Sequence, residues 1–195
     1  MIPSISFTGG LNLLGAQRSQ KKQRLDLKFK EIHPSEYEKI IGTMHSWEKI
    51  ALENKNKHTN YLNCLDICKQ IRDHIANPIF RVYTVENENK EIQSIAITKN
   101  IGIYSSQEDP ALKEYLEISF LVSNPQHMNR GAAQCLINQL ALILLNDPKN
   151  NGIYVESLDI PIPFFEGLGF IPDAQLSSAR TGPIPMIRMK EETEE

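Results

Sequence analysis

The chain has 195 residues, 41% of them hydrophobic and 23% charged, a composition that suits a globular protein with one sizeable core. A net charge of −3 argues against a broad nucleic-acid footprint, and no apolar run reaches the roughly 20 residues that a membrane-crossing helix needs. The cysteines Cys64, Cys68 and Cys135 form no disulfide framework and suit a reducing, cytoplasmic compartment.

Residues 1–24 read as a flexible arm. Met1 to Ala16 are mildly apolar but interrupted by Gly9, Gly10 and Gly15, and the basic cluster Arg18, Lys21, Lys22 and Arg24 follows the apolar part rather than preceding it, the wrong order for a secretory signal. A partner-binding or export segment is the sharper alternative. The folded unit is expected over 25–190, with 191–195 a solvated acidic tail.

Leu25 to Ile32 alternates, with Leu25, Leu27 and Phe29 on one face, and reads as a first strand. Ser35 and Glu38 offer a capping box for a helix whose apolar positions are Tyr37, Ile40, Ile41, Met44 and Ala51, with Trp47 near the same stripe. After the polar stretch Asn54 to Asn60, a second stripe of Leu62, Leu65, Cys68, Ile71 and Ile75 stops at Asn77-Pro78. Ile79 to Val85 and Ile92 to Thr98 read as an antiparallel pair, and Ile101 to Tyr104 extends the second beyond a kink. Tyr115 to Ser123 is a strand, Gly131 to Asn146 a helix ended by Asp147-Pro148, and Ile153 to Leu158 a strand, which together make a parallel βαβ unit. A short helix over Pro161 to Leu168 closes at Gly169, and Ile184 to Met189 reads as an edge strand because Pro183 and Pro185 cannot donate to a ladder. The fold class is α/β, an α+β mixed sheet, antiparallel early and parallel at its centre.

Glu117 to Ala133, reading EISFLVSNPQHMNRGAA, carries the chemistry. A strand runs into a Gly/Ala turn that opens a long helix, so free N–H groups and the positive end of a helix dipole meet at the strand's C-terminal end. That is a place to hold a phosphate or pyrophosphate.

Here the chain resembles the GNAT superfamily of acyl-CoA N-acyltransferases. The family's acyl-CoA motif is Gln or Arg, two residues, Gly, one residue, then Gly or Ala. Met128-Asn129-Arg130-Gly131-Ala132-Ala133 matches its Gly and Ala and departs at the first position, which is Met. Pro125 stands where many members have proline. A second motif, an aromatic pair followed by Gly-Phe, is matched by Phe164-Phe165-Glu166-Gly167-Leu168-Gly169-Phe170. The element order matches from about Leu25 to Lys190.

The resemblance implies acetyl-CoA as co-substrate, with no metal. Its pyrophosphate would be cradled by the N–H groups of Asn129 to Ala133, with Arg130 adding a charge-assisted bond. Gly131 would allow close backbone approach. Leu121, Val122 and Ser123 would pair with the pantetheine arm, and Phe165 would pack on the cofactor or core. Losing a side-chain donor at Met128 costs about 1 kcal/mol if backbone amides do most of the holding.

Acetyl transfer to an amine needs a base, because a lysine-like amine with a pKa of about 10.4 is mostly protonated at neutral pH. Strand alternation puts Leu116, Ile118, Phe120 and Val122 on a core face and Tyr115, Glu117, Ser119 and Leu121 on the other, the channel side. Histone-type members place their base at this distance before the Gly motif, so the role falls to Glu117. Many members put a tyrosine acid where this chain has Phe165; Tyr154, Tyr115 and Tyr104 are unranked substitutes. Asp159 stands where many members have asparagine, or simply caps the next helix.

Cys64 and Cys68, with His58 and His74 nearby, lack metal-ligand spacing and read as core positions. His127 is either an exposed loop residue or a contact to phosphate or acceptor. Ser119 has no Gly-x-Ser-x-Gly elbow, which leaves a hydrolase without support. The acceptor, a small molecule or a protein amine, should lie near the first two helices and the Ile171 to Gly182 loop, where Glu48, Glu53, Asp173 and Arg180 are candidate facing charges. The expected function is acetyl-CoA-dependent N-acetylation by direct transfer, in a monomer or homodimer. The alternatives are a catalytically degenerate CoA-binding regulatory or interaction module and, behind it, a nucleotide-binding protein of another kind.

Overall fold

A computed structural model describes residues 26–104, 112–128, 131–145, 147–157, 162–173 and 183–190. The arm over 1–24, the acidic tail, Asn129, Arg130, Asp159 and Arg180 lie outside these residues, as does the side chain of Tyr104.

The described elements run β1 (Lys28–Ile32), a 3-10 turn (Pro34–Glu36), α1 (Tyr37–Asn54), α2 (Thr59–His74), β2 (Arg81–Glu86), β3 (Ile92–Tyr104), β4 (Leu112–Ser123), α3 (Ala132–Leu145), β5 (Asn150–Ser157), α4 (Ile162–Glu166), β6 (Ile171–Pro172) and β7 (Ile184–Met189). The strands form one sheet in the order β1-β2-β3-β4-β5-β7-β6. Among the described residues only β4 and β5 pair in parallel, as the βαβ pattern predicts. Among the described residues no helix is long and apolar enough to cross a membrane.

Two cores sandwich the sheet. On one face α1 and α2 bring Ile40, Met44, Trp47, Cys68 and Ile71 against Val82, Ile95 and Ile97. On the other, α3 brings Leu136, Ile137, Leu140 and Leu144 against Tyr83, Ala96, Ile118, Ile153 and Val155. Each fully buried aliphatic side chain contributes about 1.5–3 kcal/mol of transfer free energy.

Three local expectations are corrected. Ser35 does not cap α1: Pro34, whose fixed φ suits a first helical position, starts a 3-10 turn, and His33 Nδ1 accepts the Ser35 N–H at 3.3 Å. Leu62 is 46% exposed, because the buried stripe of α2 is set by Cys64, Cys68, Ile71 and Ile75. β7 is not the sheet's edge, since the two-residue β6 pairs along its outer side; Pro185 cannot donate there, but its carbonyl accepts the Asp173 N–H at 2.9 Å.

The fourth correction matters most for the site. Ile97 pairs with Phe120 while the next residue, Thr98, pairs with Ile118, so Ser119 is an extra, bulged residue in β4. The bulge reverses the alternation. Leu116 and Ile118 face the α3 core, whereas Phe120 and Val122 join the α1/α2 core, and Leu121 crosses to the α3 side. The expectation that Leu116, Ile118, Phe120 and Val122 share one face, and Glu117 and Leu121 the other, therefore fails at Ser119.

Leu136→Ala in the α3 core should lower unfolding free energy by about 2–5 kcal/mol, and Leu52→Ala on the exposed side of α1 by under about 0.5 kcal/mol, in urea titrations. Equal losses would contradict this assignment of the core.

Candidate functional site

β4 and β5 stay paired only as far as Ile118↔Val155. Beyond that rung β4 continues along β3 to Ser94↔Ser123, and β5 continues along β7 to Ser157↔Ile184. The parallel ladder ends one residue before the Ser119 bulge, so the stretch from Phe120 to Ser123 has no ladder partner on the β5 side among the described residues. Peptide groups in such a stretch need another partner, and a ligand can supply it. On its other side this stretch is held firmly: Ser94 Oγ donates to the Val122 carbonyl at 2.8 Å, and Ser123 Oγ donates to Ser94 Oγ at 3.3 Å.

A cavity of about 410 Å³ opens at this end of β4. Its walls are Leu121, Val122 and Ser123, the loop residues His127 and Met128, the start of α3 at Gly131 to Gln134, Phe164 of α4, and Asn60, Asn63, Cys64 and Ile67 of α2. Gly131 has φ of 83°, and a side chain there would meet no atom within 4 Å. Glycine is thus needed for its left-handed backbone rather than for lack of room. The following residues turn into the 14-residue α3, whose first N–H groups have no intrahelical acceptor. An oxyanion fits this end of the cavity, and the apolar walls from Leu121, Val122, Ile67 and Phe164 fit an extended, weakly polar chain.

Of the expected cofactor residues, Leu121, Val122, Ser123, Met128, Gly131, Ala132 and Ala133 all line the cavity. The aromatic pair divides its roles differently from expectation. Phe165 is 8% exposed and packs edge-on against Phe170 at 5.4 Å, inside the α3 core, while Phe164 is 39% exposed and forms cavity wall. α4 ends at a turn in which the Phe170 N–H reaches the Phe165 carbonyl at 3.1 Å and Gly169 takes φ of 83°. That turn drives Phe165 and Phe170 inward together.

Glu117 does not line the cavity. It lies four residues before Leu121, roughly 13 Å back along the strand at about 3.3 Å per residue. Its carboxylate accepts from Ser119 Oγ at 2.6 Å and sits 3.3 Å from Lys99 Nζ. Lys99 in turn lies 5.8 Å from the centre of the Phe80 ring, and His74 packs at 5.5 Å from Phe120. Glu117 therefore faces the α1/α2 side of the sheet, at the bulge, where β4 parts from β5.

The other candidates fall into place around it. Tyr115 and Tyr154 are buried in a small cluster with Ile187. Burial, and secondarily the Asp173 charge, push the Tyr115 hydroxyl above its ordinary pKa, and the Tyr154 hydroxyl donates to Glu156 Oε1 at 3.0 Å. Cys64 and Cys68 are buried with their sulfurs 4.0 Å apart, and the hydrogen bond between them, with burial, raises the Cys68 thiol. Among the described residues no three His, Cys, Asp or Glu side chains cluster as metal ligands. Glu48 is paired with Arg72, across α1 and α2.

The site includes residues that the sequence reading did not assign to it: Asn60, Asn63, Cys64 and Ile67 on α2, Gln134, and Phe164. Cys64 carried a signal, since it falls one turn before Cys68. Nothing in the sequence alone shows that the first two turns of α2 lie over the end of β4.

No family model matches the sequence, and no curated protein matches it. Solved structures do. The toxin AtaT, as a Tyr-to-Phe variant bound to the C-terminus of the antitoxin AtaR and acetyl-CoA, is 14% identical over 83% of this chain and 93% of its own, with a TM-score of 0.53. AtaT complexed with acetyl-methionyl-tRNAfMet is 13% identical over 82% of this chain and 93% of its own, at 0.52. Spermidine N-acetyltransferase from Vibrio cholerae, in complex with CoA and spermine, is 15% identical over 84% and 95%, at 0.51. The likeness is one of fold: this chain shares with these structures a mixed α/β sheet flanked by helices.

Phe165→Ala should cost about 3–5 kcal/mol in thermal or urea unfolding, as an emptied core position does. Phe164→Ala should change stability by less than about 1 kcal/mol and alter ligand affinity instead. A reversal of the two would contradict the division of roles.

Proposed function

We propose that the chain is an acetyl-CoA-dependent N-acetyltransferase that moves an acetyl group directly to an amine. The observation that supports this reading is the parting of β4 from β5 beside a cavity closed by the first turn of a long helix. The backbone of Leu121, Val122 and Ser123, which has no ladder partner on its β5 side among the described residues, suits an extended amide-bearing arm, and Met128 to Ala133, including Asn129 and Arg130, suit a pyrophosphate. When bound, acetyl-CoA supplies an activated acetyl carbon and a thiol leaving group. Glu117, about one arm's length from the phosphate end, takes the proton from the acceptor nitrogen as that nitrogen bonds the acetyl carbon and the C–S bond breaks. Lys99 Nζ at 3.3 Å already shows that an ammonium can sit against this carboxylate. Phe165 has no proton to give, so the thiolate is protonated by solvent or by another group.

The acceptor is an amine whose carrier the site does not specify. The structures of like fold hold spermine in one case and acetyl-methionyl-tRNA in another, so a test panel must include polyamines, peptides and aminoacyl-tRNA. This widens the expectation, drawn from a net charge of −3, that nucleic acid is not a partner.

A second reading is a CoA-binding regulatory or interaction module without catalysis. It is favoured by the occupation of both Glu117 oxygens, by Ser119 and Lys99, and by phenylalanine at position 165. Saturable acetyl-CoA binding with no thiol release on any amine would support it.

For the leading reading, Glu117→Gln should lower kcat by about 10²–10⁴-fold while the Kd for acetyl-CoA moves less than about twofold. Release of free CoA thiol measures the first and calorimetry the second. Wild-type turnover in Glu117→Gln, with an unchanged pH profile, would remove the base from the mechanism.

A further inference from the structure

Gln93 is the extra residue in a second bulge. Val85 pairs with Ser94 and Glu86 with Ile92, which leaves Gln93 without a partner on β2. The residue is buried, at 1% exposure, and its side-chain amide is hydrogen-bonded at both polar atoms. The Gln93 backbone carbonyl accepts the Asn124 N–H at 2.9 Å, which ties the end of β4 to β3. Its Nε2 donates to the Glu91 carbonyl at 3.2 Å, and its Oε1 lies 2.7 Å from His127 Nδ1. Turning the amide over would set two carbonyl oxygens against each other, so Oε1 is the atom that meets His127. An acceptor there requires that Nδ1 carry the hydrogen. Nε2 is then the ring nitrogen left for a ligand, and it has no partner among the described residues.

His127 is thus no loose loop residue. It is a cavity wall with a fixed tautomer, beside Ser123 and the first turn of α3. Its neighbour Met128 has no hydrogen-bond donor on its side chain. A neutral imidazole held this way presents a lone pair at Nε2, which repels an anionic oxygen. The protonated ring presents an N–H there and keeps its bond to Gln93. An anion bound against His127 therefore takes up a proton.

We propose that His127 is a proton-coupled ligand for the pyrophosphate of the bound acyl-CoA, oriented by Gln93. This rests on the acyl-CoA reading above. Among the described residues the titratable and charged groups around it are few. From α2 the Cys64 thiol faces the cavity, with its sulfur against Cys68 at 4.0 Å. The lining side chains of β4, α3 and α4 are uncharged. In the turn before β3 the Glu91 carboxylate accepts from Asn87 Nδ2 at 2.7 Å. The sign follows: an anion at Nε2 favours the protonated ring, so binding takes up a proton and affinity falls as pH rises.

The test is calorimetric titration of the full chain with acetyl-dephospho-CoA from about pH 5.5 to pH 8, the window in which histidine titrates. That ligand keeps the pyrophosphate and lacks the 3′-phosphate, whose own ionisation would confuse the slope. Affinity should fall about tenfold across the window, His127→Ala should be weak and flat, and His127→Lys should be tight and flat. Gln93→Glu, which sets a carboxylate against the Nδ1 hydrogen, should move the fall to higher pH. S-acetylpantetheine, without phosphates, should bind with no slope. A flat wild type, a wild-type slope retained in His127→Ala, or an equal slope with S-acetylpantetheine overturns the inference alone. No binding by the folded chain at any pH overturns the acyl-CoA reading and the inference with it.

Discussion

The rest of the site depends on one failure of pairing. After Ile118↔Val155 the parallel ladder stops, because β4 remains with β3 and β5 remains with β7. The bulge at Ser119 comes at this point and turns β4 so that Leu121 faces the α3 side while Phe120 and Val122 face α2. A continuous seven-stranded sheet would have spent these peptide groups on β5 and left no opening. The parting instead creates an edge inside the sheet, where unpaired backbone is otherwise unfavourable. The cavity wall is built on that edge, and a ligand strand is the natural way to complete it.

Two helices and one buried amide hold the opening in shape. α3 begins at the cavity and anchors one core through Leu136, Ile137 and Leu140. α2 lays Asn63, Cys64 and Ile67 over the other wall and anchors the second core through Cys68 and Ile71. Gln93 binds the loop between β4 and α3 at its start through Asn124 and near its middle through His127. The loop is therefore positioned by β3 as well as by the elements it connects. Preorganisation of this kind lowers the ordering cost of holding a flexible anion. The Glu117–Ser119–Lys99 cluster stands at the other end of the open strand, so the cavity and the candidate base are joined by the stretch of β4 that has no partner on its β5 side among the described residues.

Much of this was legible before the structure. The order of elements followed from periodicity: α1 and α2 from 3.6-residue stripes, β4 and β5 from apolar runs around a Gly-Ala turn. The Gly/Ala turn opening a helix, and its resemblance to the acyl-CoA motif, named Met128, Gly131, Ala132 and Ala133 as cofactor residues, and all four line the cavity. What alternation could not register was the bulge at Ser119. A strand pattern counts by twos, and one inserted residue reverses every side chain after it. The same limit hid Gln93, a polar residue in an apolar strand whose partner, His127, is 34 positions away. The choice of Phe164 over Phe165 for the cavity was likewise beyond sequence, since adjacent aromatics on a five-residue helix differ only in how the following turn packs.

The most direct measurement is titration of isotope-labelled protein with acetyl-CoA, following backbone amide resonances. If the parted strand receives an extended arm and the helix start receives the pyrophosphate, the largest shifts will be at Leu121, Val122, Ser123 and Gly131 to Ala133, with saturation, and the amides of β1 and β7 will be unmoved. Saturable binding with its shifts elsewhere, or no shifts in a folded sample, would contradict the account that the opening between β4 and β5 is an acyl-CoA site.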